Sequence, residues 1–227
     1  MNKTKKQSYH HGNLKQALVD AALMALETEN LENLSLRSIA KTLGVTPAAV
    51  YGHFSDKTAL LIELRTLGFQ QLRQTMQNDV DSLPANGLAE DKIRTLARSY
   101  MAFAMHKRHL FDILFSWTPD LSRITPECAE EGAGSENILR KALVELLQQQ
   151  GHELNEYQRA VAAFSAWSLV HGISMLLKTE SVEGVIFCKQ WPPSFSAKQP
   201  ESQARVIEHL LTIEIEGLKA AAAKCQP

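Results

Sequence analysis

Thr46, Ala48, Ala49, Tyr51 and His53 bring small, hydroxyl-bearing and hydrogen-bonding side chains together in one short stretch. Presented on one face of a helix, such groups do not make or break bonds. They suit close approach to base edges in a major groove, where small side chains let the backbone in and hydroxyls donate or accept. Tyr51 and His53 are able to donate to phosphate oxygens, and Lys57 adds a point charge nearby. Contacts of that kind set position and orientation and carry little sequence information. Asp56 is placed to cap a following helix, whose first N–H groups favour an anion in front of them. Arg37 is a further candidate for either base or phosphate contact.

A second group is aromatic and histidine-rich: Tyr100, Phe103, His106, Phe111, Trp117, Phe164, Trp167 and His171. Taken singly, each reads as core packing. Taken together, they are the residue types that line large apolar pockets. Trp167, Val170, His171 and Ser174 recur at the spacing of one helix face. The first reading of Trp167 and His171 is a packed pair with the histidine hydrogen-bonded, with ligand contact as the alternative. His106 and His109 lie three apart with Cys128 some way off, but no second close pair completes a metal-ligand pattern, so no metal is expected. His10 and His11 receive the same reading. The chain shows no glycine-rich phosphate loop, paired-carboxylate motif or nucleophile elbow, so neither an enzyme nor a cofactor is expected. Cys128, Cys188 and Cys225 are odd in number and widely spaced, which fits a reducing cytoplasm better than a disulfide framework.

The elements that must position these groups read as helices, because apolar residues recur with a 3.6-residue period and few segments alternate over strand length. Leu14, Leu18, Ala21, Ala22, Ala25 and Leu26 form one stripe, ended near Asn30. Short helices follow over about 36–43 and 47–52, then a long one from Asp56 towards Val80. Further helices are expected over 88–105, 106–115, 135–150, 155–178 and 201–223. Residues 118–134, with two prolines, two glycines and a Glu pair, read as a loop. Residues 181–200 read as irregular, with Val185–Cys188 as a possible short strand. The fold class is all-α.

Within Ser35–Phe54 the parts of a helix-turn-helix agree with one another. Leu36, Ile39, Ala40 and Leu43 share a face, and Ala40 is small where two helices cross steeply. Gly44 sits at the turn, where a left-handed backbone costs glycine least. Val45 plugs the turn, Thr46 is an N-cap, and Pro47 is a favourable first helical residue. Val50 then faces inward.

Composition adds bounds. The chain has 227 residues, 44% hydrophobic and 22% charged, which excludes wholesale disorder. No uninterrupted apolar run reaches the ~18 residues of a membrane span, so no membrane partner is expected. The N-terminal lysines have no apolar stretch behind them, unlike a secretory signal. Residues 1–72 hold eight Lys/Arg against six Asp/Glu, and the remainder holds 16 against 19. A basic arm, with Lys3, Lys5 and Lys6, precedes an acidic body, which points weakly to an anionic partner.

The pattern Ile39-Ala40, Gly44-Val45-Thr46, Val50-Tyr51, His53-Phe54, Lys57 and Leu60-Leu61 resembles the TetR family of bacterial transcriptional regulators. The resemblance covers about residues 12–72. Many members have Gly where this chain has Ala48, a departure that bears on base preference. Ala166–Gly172 resembles the Trp–His–Gly signature of one C-terminal subclass. The resemblance implies a basic arm (1–11), a three-helix DNA-binding domain (12–72) with its helix-turn-helix at 35–54, and a linking long helix. A helical effector-binding and dimerisation domain (73–227) completes the expected order. It implies a cytoplasmic homodimer that binds a roughly palindromic double-stranded operator and is released by a small, mostly apolar effector. The alternatives are a DNA-binding protein without an effector and an enzyme using the helical cavity. The implied DNA contacts are Arg37, Thr46, Pro47, Ala48, Ala49, Tyr51, His53 and Lys57, with Lys3, Lys5 and Lys6 from the arm. The implied effector contacts are Tyr100, Phe103, His106, Phe111, Trp117, Phe164, Trp167 and His171. Part of the 155–178 helix and the stripe Val206, Leu210, Ile213 and Gly217 would form the seam between subunits.

Overall fold

Ten α-helices and two short 3-10 turns make up the regular structure of the described residues, 14–196 and 198–224, in a computed structural model. The helices are α1 (Leu14–Ala25), α2 (Leu36–Leu43), α3 (Pro47–Tyr51), α4 (Lys57–Asp81) and α5 (Ala89–His106). They continue with α6 (Arg108–Phe115), α7 (Pro126–Gln149), α8 (Glu156–Lys178), α9 (Ser181–Phe187) and α10 (Pro200–Lys224). The arm lysines Lys3, Lys5 and Lys6, with His10 and His11, lie outside the described residues.

The chain divides into two compact units. One holds residues up to Gly68 together with His109–Ala129, and the other holds Phe69–Arg108 and the chain from Glu130 onward. In the first unit α1 buries Leu14, Leu18, Val19 and Ala22, the stripe its 3.6-residue period predicts. It packs on α2, and α2 packs on α3. Leu36, Ile39, Ala40 and Val50 complete that core with Leu34, Phe54 and the first turns of α4. Arg65 donates to the carbonyls of Ile113 (2.8 Å) and Trp117 (3.2 Å), satisfying acceptors at and just beyond the end of α6.

In the second unit α5 packs against α8, and α10 packs against both. Its core draws Leu96, Tyr100 and Phe103 from α5, Leu143, Leu146 and Leu147 from α7, Ala162, Ala166 and Val170 from α8, and Leu211 and Ile215 from α10. Ion pairs join the same helices, Arg94 to Glu208 at 3.1 Å and Lys92 to Glu145 at 2.7 Å.

The structure corrects two local expectations. Residues 126–134 are not loop but the first turns of α7. Thr125 Oγ1 accepts from Cys128 N–H at 3.1 Å and Pro126 occupies the first helical position, so this proline starts a helix. Of the two glycines, Gly134 is the one set by close approach: a Cβ there would collide with Arg73 Cδ, whereas one at Gly132 would make only ordinary contact with the Phe69 ring at 3.4 Å. Val185–Cys188 is not a strand either. It ends α9, which Lys189 closes in a left-handed conformation (φ 57). The amides of Lys189 and Gln190 return to Ile186 and Val185, so β-branched residues are held in a helix by its cap. α8 is long and apolar enough by composition to cross a membrane, although Ser165, Ser168, His171 and Ser174 interrupt its apolar run.

Candidate nucleic-acid interface

The reading face is built by local bonds. Ser35 Oγ accepts from Ser38 N–H (3.0 Å), and Ser38 Oγ accepts from Ser35 N–H (3.2 Å), a reciprocal cap that starts α2. Gly44 ends it in the left-handed region (φ 66). Gly44 N–H returns to Lys41 O at 3.2 Å and Val45 N–H to Ala40 O at 3.0 Å, a Schellman closure that satisfies the last carbonyls of α2. Two residues later Thr46 Oγ1 accepts from Ala49 N–H at 3.3 Å, and Pro47 begins α3.

With Val50 fully buried, the rest of α3 is turned outward. Thr46, Pro47, Ala48, Tyr51 and His53 are exposed and Ala49 is half-buried; Arg37 is exposed in the first turn of α2. These are the side chains expected to meet DNA.

Lys57 also bonds within the chain. Its ammonium is half-buried and donates to Leu31 O at 2.6 Å and to Glu32 O at 3.3 Å, in the loop between α1 and α2. Beside it Asp56 caps α4 through Ala59 N–H (2.9 Å) and also takes two bonds from Arg123, at 2.9 and 3.0 Å. The Arg123 guanidinium, with the backbone N–H of Ala59, holds the Asp56 carboxyl below its usual range. Neither pairing has a local sequence signal, since the partners stand 26 and 67 residues apart.

The aromatic set is divided between the two units. Phe111 and Trp117 belong to the first unit, and Phe111 is fully buried. His106 is exposed at the end of α5, and Phe164 is 66% exposed on α8, with its ring edge-on to Trp167 at a centroid distance of 6.4 Å. Phe103 is buried on α5.

Three residues of the set are joined by hydrogen bonds. Trp167 Nε1 donates to Tyr100 Oη at 3.2 Å, and Tyr100 Oη lies 2.9 Å from His171 Nδ1. An indole can only donate, so the phenol oxygen accepts from Trp167 and its own proton is available to the imidazole. Burial pushes the Tyr100 phenol up and the His171 imidazole down, and both shifts favour neutral forms. Among the described residues no three His, Cys, Asp or Glu side chains converge as metal ligands would.

Comparison with known proteins agrees with this architecture. Residues 18–64 match the family model for bacterial regulatory proteins of the tetR family, and residues 93–187 match the tetracyclin repressor-like C-terminal domain. An uncharacterized HTH-type transcriptional regulator of Haemophilus influenzae is 26% identical over 200 residues, 86% of each chain. A protein of unknown function from Rhodococcus sp. RHA1 has a similar fold, with a TM-score of 0.70 at 24% identity over 96% of this chain and 100% of its own. A bacterial regulatory protein in the tetR family from Rhodococcus RHA1 gives a TM-score of 0.58 at 17% identity, over 88% of this chain and 95% of its own.

Proposed function

This chain belongs to the TetR family of bacterial transcriptional regulators and is a DNA-binding regulator; from that premise we propose that it is a homodimeric repressor released from a roughly palindromic operator by a small, mostly apolar molecule. It acts at the chromosome, in the cytoplasm. The observation that carries the proposal is the outward face of α3. Thr46, Pro47, Ala48 and Ala49 offer small and hydroxyl groups to base edges, and Tyr51, His53 and Arg37 flank them with phosphate donors. A merely solvated helix would carry charges there.

The effector belongs to the second unit in this reading. Tyr100, Trp167 and His171 are a polar cluster among apolar neighbours, the kind of group that orients a ligand in a mostly apolar site. A ligand shifts the DNA equilibrium only by its differential affinity for the two states, so a hundredfold release needs about 2.7 kcal/mol of coupling.

The test has two arms. Duplexes are first selected by the protein from a random pool, where a palindrome is expected, and Ala49→Ser is expected to change the preferred base without changing the salt dependence. Calorimetry of an apolar ligand panel then compares free protein with protein on the selected duplex. An inducer binds more weakly to the DNA complex, by the same factor that it weakens DNA binding. A panel member that binds equally in both conditions is not the inducer, and enrichment of no sequence at all would remove the DNA-reading role of α3.

A further inference from the structure

We propose that Arg123, which lies outside the helix-turn-helix, is a positioning residue of the DNA interface: it is the counter-charge of Asp56, so that the start of α4 meets phosphate without a net negative charge in front of it. The inference rests on the reading of α3 as the DNA-reading helix. Asp56 follows His53 by three residues and immediately precedes Lys57, two of the donors expected at the phosphates. It is also the cap of α4, with Oδ1 2.9 Å from Ala59 N–H. The carboxylate that starts the helix therefore puts a negative charge where the helix dipole and Lys57 favour an anion.

Capping does not require that charge. Asn, Ser and Thr accept the same bond, and a neutral cap leaves an arriving phosphate unopposed. Arg123 meets the charge directly, with Nη2 2.9 Å from Oδ1 and 3.0 Å from Oδ2 of Asp56. Both partners belong to the first unit, the one that holds α3. The guanidinium is delivered by the short turn Leu121–Arg123, which Asp120 caps through Ser122 N–H at 2.9 Å. Asp120 also lies in the field of Arg123, so one guanidinium serves two carboxylates.

The pair stands at the surface. The Asp56 side chain is 49% exposed and that of Arg123 36%, so both charges are open to a polyanion that docks on this unit. A pair this exposed adds little to folding stability. Its larger effect is on the charge that arriving DNA meets within a Debye length, about 8–10 Å at ordinary salt. With Arg123 the Asp56 carboxylate is offset; without it the same carboxylate repels the phosphates that Lys57, His53 and Tyr51 are placed to hold.

Charge compensation and a merely structural tie predict opposite signs for one substitution. The duplex is one selected by the wild-type chain from a random pool, with a scrambled duplex as reference. Arg123→Gln is expected to weaken both duplexes alike, about fivefold, the scale of one partly exposed charge pair. Asp56→Asn keeps a capping acceptor and removes the charge, and is expected to tighten both duplexes by a similar factor. The variant with both substitutions returns to within about twofold of wild type, as independent charges add. Arg123→Lys, which keeps the charge, binds as wild type does, and all the differences shrink as salt is raised. The proposal is overturned if Asp56→Asn weakens binding, or if the double variant is as weak as Arg123→Gln, since the pair would then be a tie that holds the turn to α4. It is equally overturned if Arg123→Gln leaves both affinities unchanged. A wild-type chain that prefers no duplex sinks the DNA-reading role of α3 instead, while the sign of Asp56→Asn on the scrambled duplex still decides the role of the charge.

Discussion

The Tyr100–His171–Trp167 cluster shows how few atoms decide a protonation state. Tyr100 Oη receives the indole proton and faces His171 Nδ1, so a neutral imidazole accepting at Nδ1 completes the chain of bonds. Burial lowers the His171 pKa from its ordinary value of 6.5. The unfolded chain then binds that proton more readily than the folded one, and this gives the sign of the effect. The contribution of His171 to stability is full above about pH 6.5 and is lost as pH falls from there towards the depressed value. Urea unfolding at about pH 7.5 and about pH 5 should show a smaller loss on acidification for His171→Asn than for the wild-type chain. Equal losses in the two proteins would mean that His171 does not titrate in this window.

At the scale of elements, α7 shows why a helix is not always made of helix formers. Gly134 is a poor helix residue, yet Arg73 Cδ occupies the space its Cβ would need. Arg73 is in turn held by Glu131, with Nε 2.8 Å from Oε2, and Glu131 also accepts from Gln70 at 3.2 Å. Gly134→Ala gains up to ~1 kcal/mol of helix propensity but displaces that pairing, for a net loss of about 1 kcal/mol. In an Arg73→Ala background the obstacle is gone and the sign reverses, so Gly134→Ala becomes stabilising. Denaturant midpoints of the four proteins in the cycle measure this directly. Gly134→Ala with the same sign in both backgrounds would show that Arg73 is not what requires the glycine.

At the scale of the whole molecule, α8 and α10 leave apolar side chains exposed among the described residues. Phe164 is 66% exposed and Ile213 69% exposed, each one residue from the Ser165–Glu214 hydrogen bond that joins the two helices. Nothing lies within 4 Å of a Cβ built at Gly172 or Gly217. In the proposed dimer this surface is the seam, and two reading helices must meet successive major grooves about 34–36 Å apart. Phe164→Glu is expected to sediment as a monomer at micromolar concentration and to lose the preference for a palindrome over a single half-site. Its thermal unfolding, read on the monomer, should still be cooperative. A variant that remains dimeric, or a wild-type chain that is monomeric and binds one half-site, would place the seam elsewhere or remove it.

Residue types and spacing were sufficient for the helix-turn-helix because each of its determinants acts over a few residues. The Ser35 cap, the left-handed Gly44, the Thr46 cap, Pro47 and the inward Val50 each specify geometry through bonds or burial within one or two turns. The all-helical class was legible for the same reason, from apolar period alone. What only the tertiary structure decided lies in contacts between distant residues. Lys57 meets carbonyls 26 and 25 residues away, and Arg123 meets an aspartate 67 residues away. Aromatic side chains that look alike in sequence are sorted into a buried core residue (Phe111), a surface residue (Phe164) and a hydrogen-bonded cluster (Tyr100 with Trp167). Pro126, Gly132 and Gly134 read as breakers because local propensity sees only the chain itself. The Thr125 cap before Pro126 is a local helix start that the glycines mask, whereas the Arg73 side chain that fills the space beside Gly134 is brought from elsewhere in the chain, which no local pattern records.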